Sequence, residues 1–294
     1  MTAHNTPTDL TQCTAEQLLH LYRSGQASPV DATKVLLARI EKLNPKLNAF
    51  TLVDEKVAMN CAKSSEAKWQ AHRKAGLQGG AEVGALEGVP ASIKDLILTR
   101  GWPTLRGSRT VDPNQAWEID APVTARLRES GAVLFAKTTT PEFGCKGETN
   151  SPATGITRNP WNTDKTPGGS SGGAAAATMA GIGAIGHGTD IGGSIRYPAY
   201  ACGIHGLRPT LGRIPAWNAS GAERHVGGQV MAVSGPLARS IADVKLAFGA
   251  MCARDIRDPW WVDAAMEGPP APKRAALCLS PDGMKLQPEV QAAM

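Results

Sequence analysis

The segment from Pro167 to Pro198 constrains the fold of this chain more than any other stretch. It reads P-G-G-S-S-G-G-A-A-A-A-T-M-A-G-I-G-A-I-G-H-G-T-D-I-G-G-S-I-R-Y-P, and large side chains are nearly absent. This composition is typical of a flexible linker or of backbone that closely approaches another group. Residues 174–180 favour a helix and are bounded by glycines, which argues against a linker. We therefore expect a loop, a helix, a buried strand at residues 182–185 and a second loop.

A second informative stretch lies upstream, where V-P-A-S-I-K-D-L-I-L has the β-branched, apolar character of a buried strand. Lys94 and Asp95 interrupt it. Taken alone, Lys94 is better explained as a surface lysine at a strand end, because lysine is seldom fully buried. Two serines, Ser170 and Ser194, lie in the two predicted loops of the glycine-rich segment.

Together these motifs resemble the amidase signature family of serine hydrolases. The resemblance rests on G-G-S-S-G-G, on the serine of T-D-I-G-G-S-I-R, on Lys94 and on C-G-I-H-G-L-R-P-T downstream. It implies a catalytic triad with Ser194 as nucleophile, Ser170 as a bridging serine after a cis bond from Gly169, and Lys94 as base. The residues that fall at the family's oxyanion hole are Ile191, Gly192 and Gly193. Four further residues are expected to support the site: Ser171, Thr189, Asp190 and Arg196.

The chemistry requires these residue types. A serine hydroxyl is a weak nucleophile until a base takes its proton. Lysine is such a base only when neutral, so its ordinary pKa of about 10.4 must be lowered by burial or by nearby positive charge. A second hydroxyl can accept and donate, and can therefore relay the proton. Glycine-rich backbone can point its N–H groups at a developing oxyanion.

The order of helix, tight turn and strand suggests an α/β fold, and the resemblance implies a mixed β-sheet core flanked by helices. Thr14 with Gln17 forms a capping box that predicts one helix, and Ser28 followed by Pro29 begins the next. We expect one amidase signature domain over 1–294, with a mainly helical region at 1–76 and an α/β catalytic core at 77–294. The sequence stops as a helix begins at Pro288, and members of the family are typically longer. The resemblance therefore implies a domain that lacks its C-terminal part.

Composition narrows the other classes of function. A net charge of +5, with no basic run interleaved with aromatics, argues against nucleic-acid binding. No apolar run is long enough for a membrane span, and the six scattered cysteines fit a reducing, cytoplasmic setting. No metal-site spacing occurs, and we expect no cofactor. The expected partner is a small-molecule amide, while the oligomeric state, a homodimer included, stays open.

Several alternatives remain. One is the transamidase subunit that corrects mischarged tRNA, although Tyr197 stands where that subunit is expected to carry glutamine. Another is a catalytically weak remnant that keeps the motif without its pocket.

A Ser–His–Asp set of His187, Asp190 and Ser194 is disfavoured, because such triads are assembled in space and not by closeness in sequence. We expect His187 to be a packed histidine at a strand end and Asp190 to brace the loop. A phosphate cradle is disfavoured because no G-K-[ST] follows the glycines.

Overall fold

A computed structural model gives the architecture. It describes residues 9–76, 82–217, 226–268, 270, 273–274 and 276–293. The chain divides into a large compact unit, Met1–Asp263, and a small one, Ala264–Met294. The predicted boundary between a helical region and the catalytic core falls at residues 77–81, which lie outside the described residues.

The first two helices begin where their capping residues predict. Helix α1 spans Ala15–Ser24, and Thr14 and Gln17 form the expected capping box. Helix α2 spans Pro29–Leu47 and begins with a second box between Ser28 and Asp31. Such boxes satisfy free backbone N–H groups over only three residues, which is why the local sequence predicts them correctly.

A six-stranded mixed sheet forms the centre of the large unit. Its strands are β1 Phe50–Val53, β2 Pro90–Lys94, β3 Val133–Thr138, β6 Ile185–Asp190, β7 His205–Gly206 and β8 Val233–Ala238. They lie in the order β1-β3-β2-β6-β8-β7. Strands β2 and β3 are parallel to each other, β6 is parallel to β2, and β1, β7 and β8 are antiparallel to their neighbours. A two-stranded hairpin pairs β4 Asn150–Ser151 with β5 Gly155–Ile156. The mixed sheet predicted from the sequence is confirmed.

Helices cover both faces of this sheet. The remaining helices are α3 Glu55–Ala75, α4 Pro122–Glu129, α5 Gly172–Met179, α6 Arg196–Cys202, α7 Val226–Met231, α8 Ile241–Met251 and, in the small unit, α9 Pro288–Ala293. One core cluster joins α2, α3 and α5 to Val133 and Phe135 of β3. A second joins α1, α4 and α8 to Ile93 of β2 and Leu134 of β3. Among the described residues, no helix is long and apolar enough to cross a membrane.

The strand expected at residues 182–185 lies further along the chain, because β6 spans Ile185–Asp190. Residues 181–184 form the turn that leaves α5. Gly186 explains how this polar, glycine-rich segment becomes a central strand. A Cβ at Gly186 would lie 2.8 Å from Thr178 Oγ1 and 3.3 Å from Ala174 Cβ, so the missing side chain lets α5 pack directly on the strand.

Candidate active site

Strand β2 delivers Lys94 to the centre of the site. Lys94 is the last residue of the strand and its side chain is fully buried. Its Nζ donates hydrogen bonds to Ser170 Oγ at 2.7 Å, to Ser171 Oγ at 2.9 Å and to Thr189 Oγ1 at 2.9 Å. Three hydroxyls therefore surround this ammonium or amine, and all three belong to the glycine-rich segment.

Burial changes the protonation of Lys94. Removal from water lowers the pKa of Lys94 from 10.5 to about 7, and the negative charge of Asp190 opposes this shift only in part. The three hydroxyl partners are neutral and can accept from the charged form or donate to the neutral form. A substantial fraction of Lys94 is therefore neutral at physiological pH.

The first glycine-rich loop places its two serines beside Lys94. The peptide bond between Gly169 and Ser170 is cis. Gly144 lies close to Ser170, because a Cβ at Gly144 would lie 3.3 Å from Ser170 Oγ. The short 3₁₀ turn Glu142–Gly144 therefore borders the site, and sequence analysis did not single it out.

The second loop carries Ser194, which joins the site through its backbone. Ser171 N–H donates to Ser194 O at 3.1 Å, so the two serine loops lie side by side. Ser194 is half-buried. Within the part of the chain that the structure describes, its hydroxyl makes no hydrogen bond, to Ser170 or to any other residue. The structure thus brings Lys94, Ser170 and Ser171 into contact and leaves the Ser194 hydroxyl free to meet another molecule.

Asp190 organises the turn before Ser194. Its buried carboxylate accepts from the backbone N–H groups of Gly193 at 2.8 Å, Ile195 at 3.0 Å and Arg196 at 3.3 Å. The Arg196 guanidinium donates to both carboxylate oxygens, at 3.1 and 3.0 Å. Burial opposes the negative charge, but the hydrogen bonds from Arg196 and these amides outweigh burial and lower the pKa of Asp190 to about 2. Asp190 is thus a permanent anion that holds the turn.

The three residues expected at an oxyanion hole differ in their backbone amides. Gly193 has a φ of +125°, which favours glycine, and its N–H is bound to Asp190. Ile191 and Gly192 are exposed, and a Cβ at Gly192 would meet nothing within 4 Å. The space beside Gly192 is therefore open, whereas the Gly193 amide is already bound.

His187 lies in the middle of β6, opposite Pro236 of β8, and not at a strand end as expected. Its ring is fully buried, and neither ring nitrogen has a hydrogen-bond partner among the described residues. Burial, together with the positive charges of Lys94 and Lys137, lowers the pKa of His187 to about 3. His187 is therefore a neutral packed side chain and forms no hydrogen-bonded set with Asp190 and Ser194.

A second buried lysine was missed by sequence analysis. Lys137 Nζ lies 3.9 Å from Asp95 Oδ1 and donates to Ile97 O at 2.6 Å and to Thr104 Oγ1 at 2.7 Å. Asp95 also accepts from the amides of the loop that follows β2, Leu105 among them at 3.1 Å. No short motif marks Lys137, because its partners are distant in sequence. Among the described residues, no cluster of three or more His, Cys, Asp or Glu side chains could hold a metal ion.

Comparisons with known proteins identify relatives of this chain. The indoleacetamide hydrolase of Bradyrhizobium diazoefficiens is 44% identical over 277 residues, which cover 92% of this chain and 51% of that protein. A glutamyl-tRNA(Gln) amidotransferase subunit of Rhodopirellula baltica is 40% identical over 254 residues, 85% of this chain and 47% of that protein. The chain thus spans about half the length of the curated relatives it matches.

The fold comparison leads to the same group. The crystal structure of a bacterial aryl acylamidase of the amidase signature enzymes superposes with a TM-score of 0.77 at 32% identity, covering 86% of this chain and 50% of that chain. The family model described as Amidase matches residues 31–294, which is most of the sequence. The chain therefore belongs to the amidase signature family.

Proposed function

We propose that the protein is an amidohydrolase that cleaves a linear carboxamide through Ser194, Ser170 and Lys94. The observation that carries this proposal is the 2.7 Å hydrogen bond from a fully buried Lys94 Nζ to Ser170 Oγ. A lysine in this position can be neutral near pH 7 and can accept a proton through Ser170. The relatives that hydrolyse amides by name support the same reaction class.

In the proposed reaction, Ser194 Oγ attacks the carbonyl carbon, and its proton passes to Ser170 Oγ as the Ser170 proton passes to Lys94 Nζ. The C–N bond then breaks, the leaving nitrogen takes the proton, and an acyl-enzyme ester remains on Ser194. Water hydrolyses this ester by the same proton path, which releases the acid and restores Ser194. The hydroxyl of Ser194 must therefore turn toward Ser170 when substrate binds.

The other residues of the site are proposed as supports. Ile191 and Gly192 present backbone amides to the developing oxyanion, where such donors contribute about 3 kcal/mol of transition-state stabilisation each. The Gly193 amide joins them only if it leaves Asp190, to which it is bound here. Ser171 and Thr189 orient the Lys94 amine. Asp190 and Arg196 hold the turn in shape.

The test is covalent labelling by a fluorophosphonate, in which Ser194 Oγ forms a bond to phosphorus and fluoride leaves. We expect labelling of Ser194 in the wild-type protein, none in Ser194→Ala, and labelling slowed at least about a hundredfold in Lys94→Ala. Lys46→Ala, which removes an exposed lysine of α2, is the matched control. Labelling of Lys94→Ala at the wild-type rate would reject Lys94 as the base. A folded wild-type protein that is not labelled would favour the alternative of a weakly active remnant.

The transamidase alternative predicts that turnover depends on tRNA and on a partner protein. Two relatives named as glutamyl-tRNA(Gln) amidotransferase subunits are 40% and 37% identical to this chain, against 44% for the indoleacetamide hydrolase. Tyr197 is exposed beside the serine loops. Hydrolysis of a simple amide without tRNA or a partner protein supports the hydrolase, whereas turnover that requires both would support the transamidase.

We also infer a cytoplasmic location. All six cysteines are free thiols, and secreted proteins more often pair theirs. Fractionation of cells that carry the protein, followed by detection with an antibody, tests this inference.

A further inference from the structure

A cavity of about 170 Å³ lies beside the site. Its lining includes side chains from five parts of the chain: Ile97, Val123, Thr189, Trp217 and Val233. Among the described residues that line it, none is charged, and the only side-chain polar groups belong to Thr189, Ser234 and the indole of Trp217. A charged group would lose its hydration in such a cavity without gaining a partner among these described residues.

The cavity is at the edge of the sheet where Lys94 ends β2. Residues 96–98 follow β2, and Thr189 and Ile191 lie at the end of β6. Because β8 is antiparallel to β6, its first residue, Val233, pairs with Asp190 at this same edge. Three strand ends thus converge on the cavity.

Thr189 is the wall that the cavity shares with the site. Its Oγ1 accepts a hydrogen bond from Lys94 Nζ at 2.9 Å, and the same residue lines the cavity. Ile191, whose amide we propose as an oxyanion donor, also lines it. A carbonyl oxygen bound at the Ile191 amide would therefore lie beside the cavity.

The wall formed by Trp217 is held in place before any ligand binds. The Trp217 ring lies 4.6 Å from the Arg257 guanidinium in a cation–π contact. Arg257 is in turn bound by Asp255, at 2.6 and 2.8 Å. The backbone next to Trp217 is tied by a 2.7 Å hydrogen bond from Ala216 N–H to Asp258 Oδ2. Fixed walls reduce the entropy lost on binding.

The wall formed by Ile97 and Leu98 is equally constrained. Leu98 O accepts from Ala121 N–H and from Thr124 Oγ1, both at 3.0 Å. Ile97 O accepts from the buried Lys137 Nζ. The cavity is thus a preformed part of the fold.

We propose that this cavity binds an apolar, ring-sized substituent of the amide substrate, a proposal that rests on the proposed amidohydrolase function. An apolar cavity of about 150 Å³ is large enough for a benzene ring, so the volume fits one aromatic or cycloaliphatic ring. The ring can be attached on either side of the scissile bond. Phenylacetamide carries the ring on the acyl side and acetanilide carries it on the amine side. Comparison of these two substrates therefore shows on which side of the scissile bond the ring is attached.

The test fills the cavity with Ala232→Phe. Ala232 is half-buried, lines the cavity and precedes β8, so a benzyl group there can occupy the ring's place. We expect kcat/KM for the preferred ring substrate to fall at least about tenfold, while propionamide, which has no ring, changes less than about twofold. Ala67→Phe on the exposed surface of α3 is the matched control and should behave as wild type. An equal loss for ring and ringless substrates would overturn the proposal.

A binding measurement separates this proposal from the amidohydrolase function. In the Ser194→Ala background, titration calorimetry with phenylacetamide and acetanilide reports affinity without turnover. We expect at least one of them to bind, and Ala232→Phe to raise its Kd at least about tenfold, with melting curves that match the parent. If the wild type hydrolyses nothing but the Kd shifts, the function fails and the ring site stands. Unchanged Kd values, or no binding of either compound at millimolar concentration, would reject the ring site.

Discussion

Lys94 and Lys137 are both fully buried on neighbouring parallel strands, yet their side chains extend from opposite faces of the sheet. Lys94 pairs with Thr138, and Ile93 pairs with Lys137. Because successive side chains of a strand point to opposite faces, Lys137 shares the face of Ile93 and Lys94 points to the other face. Lys94 Nζ donates to three hydroxyls, whereas Lys137 Nζ lies 3.9 Å from Asp95 Oδ1. One face thus holds a lysine suited to lose a proton, and the other holds a structural cation.

The rate of fluorophosphonate labelling should rise with pH through the pKa of Lys94. Burial lowers this pKa to about 7, and only the neutral amine accepts the serine proton. We expect the labelling rate constant to reach half its maximum near pH 7, measured against the hydrolysis of the probe in buffer. A rate constant that stays constant between about pH 6 and 8 would show that no group with this pKa controls the reaction.

The stability of the protein should also report the pKa of Lys94. The unfolded chain binds a proton at this lysine up to a pKa of about 10.4, and the native protein only up to about 7. The cost of burying the charge is therefore full below about pH 7 and declines as the pH rises toward 10.4. Lys94→Met removes this cost. Urea denaturation measures the free energy of unfolding of Lys94→Met relative to that of the wild type. We expect this difference to favour the variant by about 2 kcal/mol more at pH 7 than at pH 9.

The Lys46→Met variant, which changes an exposed lysine of α2, is the control for this measurement and should show no such pH dependence. A gain for Lys94→Met that is equal at both values of pH would mean that Lys94 is charged in the native protein throughout this range.

His187→Gln should keep most of the activity. His187 has no hydrogen-bond partner to lose in the described part of the chain, and burial lowers its pKa to about 3, so the ring is neutral at working pH. We expect kcat/KM within about threefold of wild type, because the proposed proton path runs through Ser170 and Lys94. Circular dichroism checks that the variant folds. A loss as large as that of Ser194→Ala in a folded protein would restore the Ser–His–Asp hypothesis.

Lys137→Met should destabilise the protein strongly. It leaves the Asp95 carboxylate buried without its cation, and removal of one partner of a buried ion pair costs about 3–5 kcal/mol. Burial raises the pKa of Asp95 and lowers that of Lys137, so each charge depends on the other. Denaturation by urea measures the loss, and the double variant Lys137→Met with Asp95→Asn should recover part of it. No recovery would show that the loss comes from the lysine's own packing and hydrogen bonds.

Local sequence determined the elements that depend on short-range interactions. The capping boxes at Thr14 and Ser28 involve partners three residues away, so α1 and α2 begin where the sequence predicts. The α/β class followed from the order of predicted helices and strands, and the mixed sheet was implied by the family resemblance. The resemblance placed Ser170, Ser194 and Lys94 in one site, although lysine burial statistics alone would have left Lys94 on the surface. The roles proposed for these residues stay predictions.

Tertiary structure decided what depends on pairing between distant segments. Side chains normally alternate between the two faces along a strand, which would place Lys137 on the face of Phe135. The register of β3 against β2 shifts between Leu134 and Ala136, and this irregularity moves Lys137 to the opposite face. Similarly, only the fold shows that Asp190 binds the Gly193 amide and that Trp217 forms a cavity wall. The physical reason is that a residue's burial and partners are set by the strands and loops packed against it, and Lys94 meets Ser170 across 76 residues of chain.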